Sequence, residues 1–240
     1  MNNSNILGYL LALIGASFFS LKAVLVKLAY LPRDGMALNA LDPITLLALR
    51  MGFALPVYIL IALFIIKGGK KVAMKPIMQS FFLGILGYYL CAYLDFSGLK
   101  YITAQLERIL LFTYPIFVVI LGALFFGGKI TKSGVVAIVL AYLGIGIIFA
   151  GGDITTGENL WLGTVMILAT AFLFAMFQLF AKGLINQMGS WLFTCVAMSG
   201  AATSILIHFT IQSSLDDGVI AALTLPPRIY VIGLAIAFFS

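Results

Sequence analysis

The chain has 240 residues, of which 63% are hydrophobic and only 9% charged. Soluble domains carry roughly 25% charged residues, so this composition excludes a water-covered globule and defines an all-α integral membrane protein. The formal net charge of +6 sits largely in short loops, where it reports topology rather than binding to nucleic acid.

A hydrocarbon core about 30 Å thick requires about 20 apolar residues in a helix. Taken in chain order, such runs cover residues 6–29, 43–66, 76–97, 102–126, 134–150, 160–183 and 191–211. An eighth begins at Ile229 and holds only twelve residues, a helix of roughly 18 Å. The expectation is therefore seven complete spans plus the start of an eighth, in an incomplete chain. The first run is too long for a signal-peptide core and lacks a basic leader, so it reads as an uncleaved span.

The connections alternate in charge. Lys67, Lys70, Lys71 and Lys75 lie between the second and third runs, Lys129 and Lys132 between the fourth and fifth, and Lys182 between the sixth and seventh. The other connections hold Asp34, Asp42, Asp153, Glu158, Asp216 and Asp217, with Arg33, Lys100 and Arg228 as the basic company. Positive loops stay in the cytoplasm. This predicts a cytoplasmic N-terminus and acidic loops on the outer face of a cell inner (plasma) membrane.

Residues 8–27, GYLLALIGASFFSLKAVLVK, align without a gap on residues 163–182, GTVMILATAFLFAMFQLFAK. The first and sixth spans run in opposite directions, so the alignment predicts an inverted repeat of five-helix units. Such repeats are a common plan of secondary transporters, with the site where the halves meet.

Five charges form one layer in the outer half of the predicted spans. Counted from the outer boundary at 1.5 Å per residue, Lys22 and Arg50 lie roughly 10 Å down, Glu107 and Arg108 roughly 8–9 Å, and Asp95 about 3 Å. Lys27 lies about 3 Å from the same edge. Neighbouring residues of a helix point about 100° apart, so Glu107 and Arg108 are not expected to pair with each other. Depth instead suits Glu107 to Lys22 or Arg50, and Arg108 to Asp95. Two readings stand side by side. In one, this layer lines a substrate path, with Lys22 or Arg50 holding an anionic group and Glu107 exchanging protons. In the other, the charges are structural pairs, with Arg108 and Lys27 reaching outward to water.

Other residues carry weaker signals. Gln178 lies in the sixth span beside Phe177, which aligns with Lys22. It suits a cavity contact or an interhelical hydrogen bond. Tyr88, Tyr89, Phe172 and Phe174 line a cavity or face lipid. Pro115 removes a backbone hydrogen bond and predicts a bend near Leu111, and Pro56 poses the same question in the second span. Small residues at helical spacing, Ala137, Ala141 and Gly144 or Cys195, Ser199 and Thr203, predict packing faces. The lone His208 and the two cysteines, Cys91 and Cys195, offer no metal set, and no cofactor is expected.

Several segments together resemble a known family. LVKLAY (25–30), LALRMGFAL (47–55), GLKYITAQLERILLFTYPIFVVILGALFFGGKIT (98–131) and SGVVAIVLAYLGIGIIFAG (133–151) are similar to the drug/metabolite transporter superfamily, in its EamA-type branch. The resemblance implies two inverted five-helix repeats, residues 6–150 and an incomplete 160–240. It also implies movement of small metabolites, often outward. Gly128 stands where that family often has Glu, and its last helices have no counterpart here. The functional expectation is a secondary active permease or exporter working by alternating access, and not an enzyme. Its partners would be a small anionic or zwitterionic substrate, the lipid bilayer, protons as candidate coupling ions and a second copy in a homodimer. The alternatives are a membrane-embedded enzyme or a seven-helix receptor-like protein.

Overall fold

The computed structural model describes residues 3–32, 41–68, 72–128, 131–150, 159–216 and 218–239. Of the loop charges, Arg33, Asp34, Lys70, Lys71, Lys129, Asp153, Glu158 and Asp217 lie outside the described residues. Every regular element among the described residues is helical. In chain order these are α1 (Asn3–Tyr30), α2 (Pro43–Lys67), α3 (Met74–Gly84), a π-helical segment (Ile85–Leu90), α4 (Cys91–Gly98), α5 (Ala104–Leu111) and α6 (Tyr114–Phe126). There follow α7 (Lys132–Ala150), α8 (Leu160–Met188), α9 (Ser190–Leu215), the single turn α10 (Val219–Ala222) and α11 (Pro227–Phe239).

Five stretches are long and apolar enough to cross a membrane: Pro43–Lys67, Met74–Gly98, Ala104–Phe125, Leu160–Met188 and Ser190–Leu215. They coincide with the second, third, fourth, sixth and seventh predicted runs. The first and fifth runs form α1 and α7, and the short eighth forms α11.

Local chemistry sets the helix ends. Pro43 occupies the first turn of α2, where its missing N–H costs nothing. The Thr103 hydroxyl accepts the backbone N–H of Leu106 at 3.2 Å and so caps α5. Gly127, with φ +65°, closes α6 in the left-handed conformation that a side chain would resist.

The core lies where α2 meets α9. The first nine residues of α2 are buried on all sides, as expected of a helix surrounded by others. α9 covers one side of α2 and α11 another, while α1 packs on α11. On the far side of α9 lie α3 and the π-helical segment, and α8 receives α4, α5 and α6.

Where α3 crosses α9 the two backbones touch. A Cβ added at Gly84 would fall 1.9 Å from the Ala197 carbonyl oxygen, and one at Gly200 would fall 2.3 Å from that of Phe81. The close-packed face of α9 is thus built on Ala197 and Gly200. The expected face through Cys195, Ser199 and Thr203 is corrected in part: Cys195 is buried, but Thr203 is exposed. The Ser199 and Thr203 hydroxyls each donate 2.8 Å bonds to the carbonyl four residues back. Satisfied within their own helix, they need no neighbouring one. The side chains of Ala137 and Ala141 lie outside the described residues.

The fourth predicted run does more than bend. It divides into α5 and α6 around Phe112 and Thr113, just upstream of Pro115. Pro56, by contrast, sits within the uninterrupted α2.

Candidate functional site

Three helices bring four of the intramembrane charges together. α1 presents Lys22, α4 presents Asp95, and α5 presents Glu107 and Arg108. Lys22 Nζ lies 2.5 Å from Asp95 Oδ2, with both residues buried. Lys22 also stands 5.8 Å from the centre of the Phe96 ring, a cation–π distance. Arg108 Nε is 2.7 Å from Glu107 Oε2, and Glu107 is fully buried. The Glu107 carboxyl also lies against that of Asp95. Two acids and two bases therefore form one cluster.

This geometry corrects the expectation that Glu107 and Arg108 do not pair. Their Cβ atoms do diverge around α5, but both side chains are long enough to curl toward each other. Of the partners expected for Glu107, Lys22 is within electrostatic range of it but makes its ion pair with Asp95. Depth along a span says which charges share a layer. Lateral helix order decides which of them meet.

Arg50 stands apart. It occupies the buried half of α2 and is 7% exposed. Among the described residues no hydrogen bond or ion pair engages its guanidinium; Tyr58, Asp95 and Tyr88 are its electrostatic neighbours. The five-charge layer thus resolves into a cluster of four and one cation set apart from it.

Gln178 is not part of the layer. Phe177 turns into the core, its ring 4.9 Å from that of Tyr88, and a Cβ on Gly87 would meet it at 2.1 Å. Gln178 instead helps line a cavity of about 300 Å³ with Tyr88, Asn186, Phe193 and Thr194. Tyr88 therefore borders this cavity while also standing near Arg50. Sequence reasoning missed that link, since Tyr88 sits in a π-helical segment that shifts the helical register.

The remaining aromatic residues separate. Tyr89 Oη is 3.0 Å from His208 Nδ1, Phe174 meets the Tyr114 ring edge-on at 5.3 Å, and Phe172 is exposed. Cys91 and Cys195 are free and buried. Among the described residues no three His, Cys, Asp or Glu side chains gather as metal ligands. Beyond the spans, Lys100 stands 5.8 Å from the Tyr30 ring centre. Burial pulls its ammonium below the usual lysine range, and nearby Asp42 opposes that.

Apolar, membrane-length helices enclosing a sealed ionic layer define a multi-pass integral membrane protein. The sequence profile of the EamA-like transporter family matches residues 6–150, more than half of the chain, and the chain belongs to that family. It is 26% identical over 210 residues to "Uncharacterized transporter YcbK" of Bacillus subtilis (strain 168), covering 86% of this chain and 64% of that protein. It is 28% identical over 158 residues to an "Uncharacterized transporter" of Archaeoglobus fulgidus, covering 66% of this chain and 54% of that protein. The matched region thus spans less than two thirds of either relative. No solved structure matches.

Proposed function

We propose that the protein is a secondary active carrier that holds an anionic or zwitterionic small molecule on Arg50 and moves it by alternating access. The observation that carries this reading is the buried guanidinium of Arg50, which has no ion-pair partner among the described residues. A cation inside the membrane region is costly unless something compensates it. A substrate carboxylate or phosphate would do so with two parallel hydrogen bonds, the geometry for which guanidinium is suited. Tyr88 then connects this point to the cavity beside Gln178, giving a route toward the Lys182 end of the bundle.

The inverted-repeat reading is supported by how the helices touch. Exchanging α1 with α8, α2 with α9, and α3–α4 with α11 maps the α2–α9 contact onto itself. The same exchange maps α3–α9 onto α11–α2, and α4–α8 onto α11–α1; all of these pairs are in contact. Arg50 lies on α2, at the helix pair this exchange leaves in place. Repeat units 6–150 and 160–240, a cytoplasmic N-terminus and an inner-membrane location belong to the same proposal. Glu107 is the proposed proton carrier, since it is a sealed carboxyl against a second carboxyl and two bases.

Reconstitution in proteoliposomes tests the assignment with a panel of small carboxylates, amino acids and uncharged analogues. Arg50→Met is expected to raise the apparent KM for carboxylate-bearing substrates about tenfold or more and to spare neutral ones. Arg50→Lys should recover part of the loss. Equal effects on charged and neutral substrates would overturn the proposal.

A further inference from the structure

At the opposite end of α2 from Lys67 lies a second cavity, of about 280 Å³, that the carrier reading does not use. Its polar wall is made by Asp42 and Thr45 at the start of α2, Gln212 and Ser213 in the last turn of α9, and Asp216 just beyond it. Gln212 Nε2 donates to Asp42 Oδ2 at 2.6 Å and ties the two helix ends together. Two hydroxyls point to a missing ligand. Ser213 is 4% exposed and Thr45 is 7% exposed. Both line the cavity, and neither hydroxyl has a hydrogen-bond partner among the described residues. Neither oxygen is sealed from the cavity, so a molecule occupying it can satisfy both.

The charge of the wall selects the ligand. Among the described residues two carboxylates line the cavity and no basic side chain does. Lys100 lies within electrostatic range of Asp42 but is not among the described residues of the wall, so the described lining is acidic. The C-terminal end of α9 adds to that potential, while the N-terminal end of α2 opposes it. A bare metal ion needs oxygens converging at about 2.3–2.6 Å, whereas these are spread over an open cavity. The rest of the lining includes the apolar side chains of Leu41, Ala222 and Leu225, which suit a short hydrocarbon body.

We propose that this cavity is a binding site for a small organic ammonium ion. The ammonium sits between Asp42 and Asp216 and donates to the Thr45 and Ser213 hydroxyls; the alkyl part lies on Leu41, Ala222 and Leu225. The site is separate from Arg50, so it stands or falls independently of the transport reading.

The test is direct binding to the full chain in detergent, read by saturation-transfer NMR with n-butylammonium as the probe. Butyrate serves as the anion of matched size, and calcium as the inorganic competitor. The expected result is saturable butylammonium binding, weakened at least about tenfold in Asp216→Asn and measurably in Ser213→Ala, with no signal from butyrate. Ser213→Ala removes a hydroxyl without a partner, so folding is unaffected, and monodispersity on size exclusion checks this. The proposal is overturned by non-saturable butylammonium binding, by binding of equal strength in both variants, or by calcium displacing the probe from the wild-type chain at equal concentration.

Discussion

Lys22 and Asp95 form an ion pair, 2.5 Å between Nζ and Oδ2, that ties α1 to α4 inside the bundle. They are 73 residues apart in sequence, and the link consumes one of the two cations that the depth argument offered to a substrate. Arg50 remains, with Asp95 as an electrostatic neighbour rather than a bonded partner.

Breaking the pair from one side should be far worse than removing it. Lys22→Met or Asp95→Leu alone leaves a buried charge uncompensated, which costs about 3–5 kcal/mol. The double variant should recover a large part of that loss. Reversible unfolding in mixed micelles measures all three proteins, and additive losses in the double variant would refute a direct coupling.

Glu107→Gln keeps the shape of the side chain and removes its exchangeable charge. If Glu107 carries the coupling proton, accumulation driven by an imposed pH gradient should collapse in vesicles. Substrate exchange at equal pH should continue. Unchanged proton-driven flux would remove Glu107 from the coupling role.

Sequence reasoning reached some of this site and not the rest, for identifiable reasons. Apolar run length depends on local composition, so the runs at 43–66, 76–97, 102–126, 160–183 and 191–211 reappear as helices of membrane length. Depth along a helix is also a one-dimensional property, and it grouped Lys22, Arg50, Asp95, Glu107 and Arg108 in one layer. Pairing is a lateral property: Lys22–Asp95 depends on which helix lies beside α1, which no spacing encodes. The Arg108–Glu107 contact depends on side-chain torsions that a helical wheel ignores. The acidic cavity escaped notice because Asp42, Thr45, Ser213 and Asp216 come from two distant helix ends, each unremarkable alone.

Gly84 is the tightest point between α3 and α9. Its added Cβ would meet the Ala197 backbone at 1.9 Å, whereas one at Gly122 meets only the Leu179 side chain at 3.6 Å. A backbone atom cannot rotate away, so Gly84→Ala must separate the helices, an overpacking cost of about 1–3 kcal/mol. Gly122→Ala makes an ordinary contact and gains helix propensity. Thermal unfolding should show Gly84→Ala lowered and Gly122→Ala unchanged or raised; the reverse order would contradict the close approach.

Pro115 should govern how α5 moves relative to α6. Its nitrogen has no hydrogen to donate to the Leu111 carbonyl four residues back, and the chain instead turns through Phe112 and Thr113. The turn is held by Phe112 N–H to the Arg108 carbonyl at 3.0 Å and Thr113 N–H to the Leu110 carbonyl at 3.1 Å. It lies directly after the Glu107–Arg108 pair, so any tilt of α5 carries those charges with it. Alanine at this position restores the donor and favours one continuous helix, since proline within a helix costs about 3 kcal/mol. Pro115→Ala is expected to slow amide exchange across residues 111–116 and reduce transport turnover, with substrate affinity unchanged. Faster exchange, or slower exchange with unaltered turnover, would show that the break shapes packing and plays no part in the transport cycle.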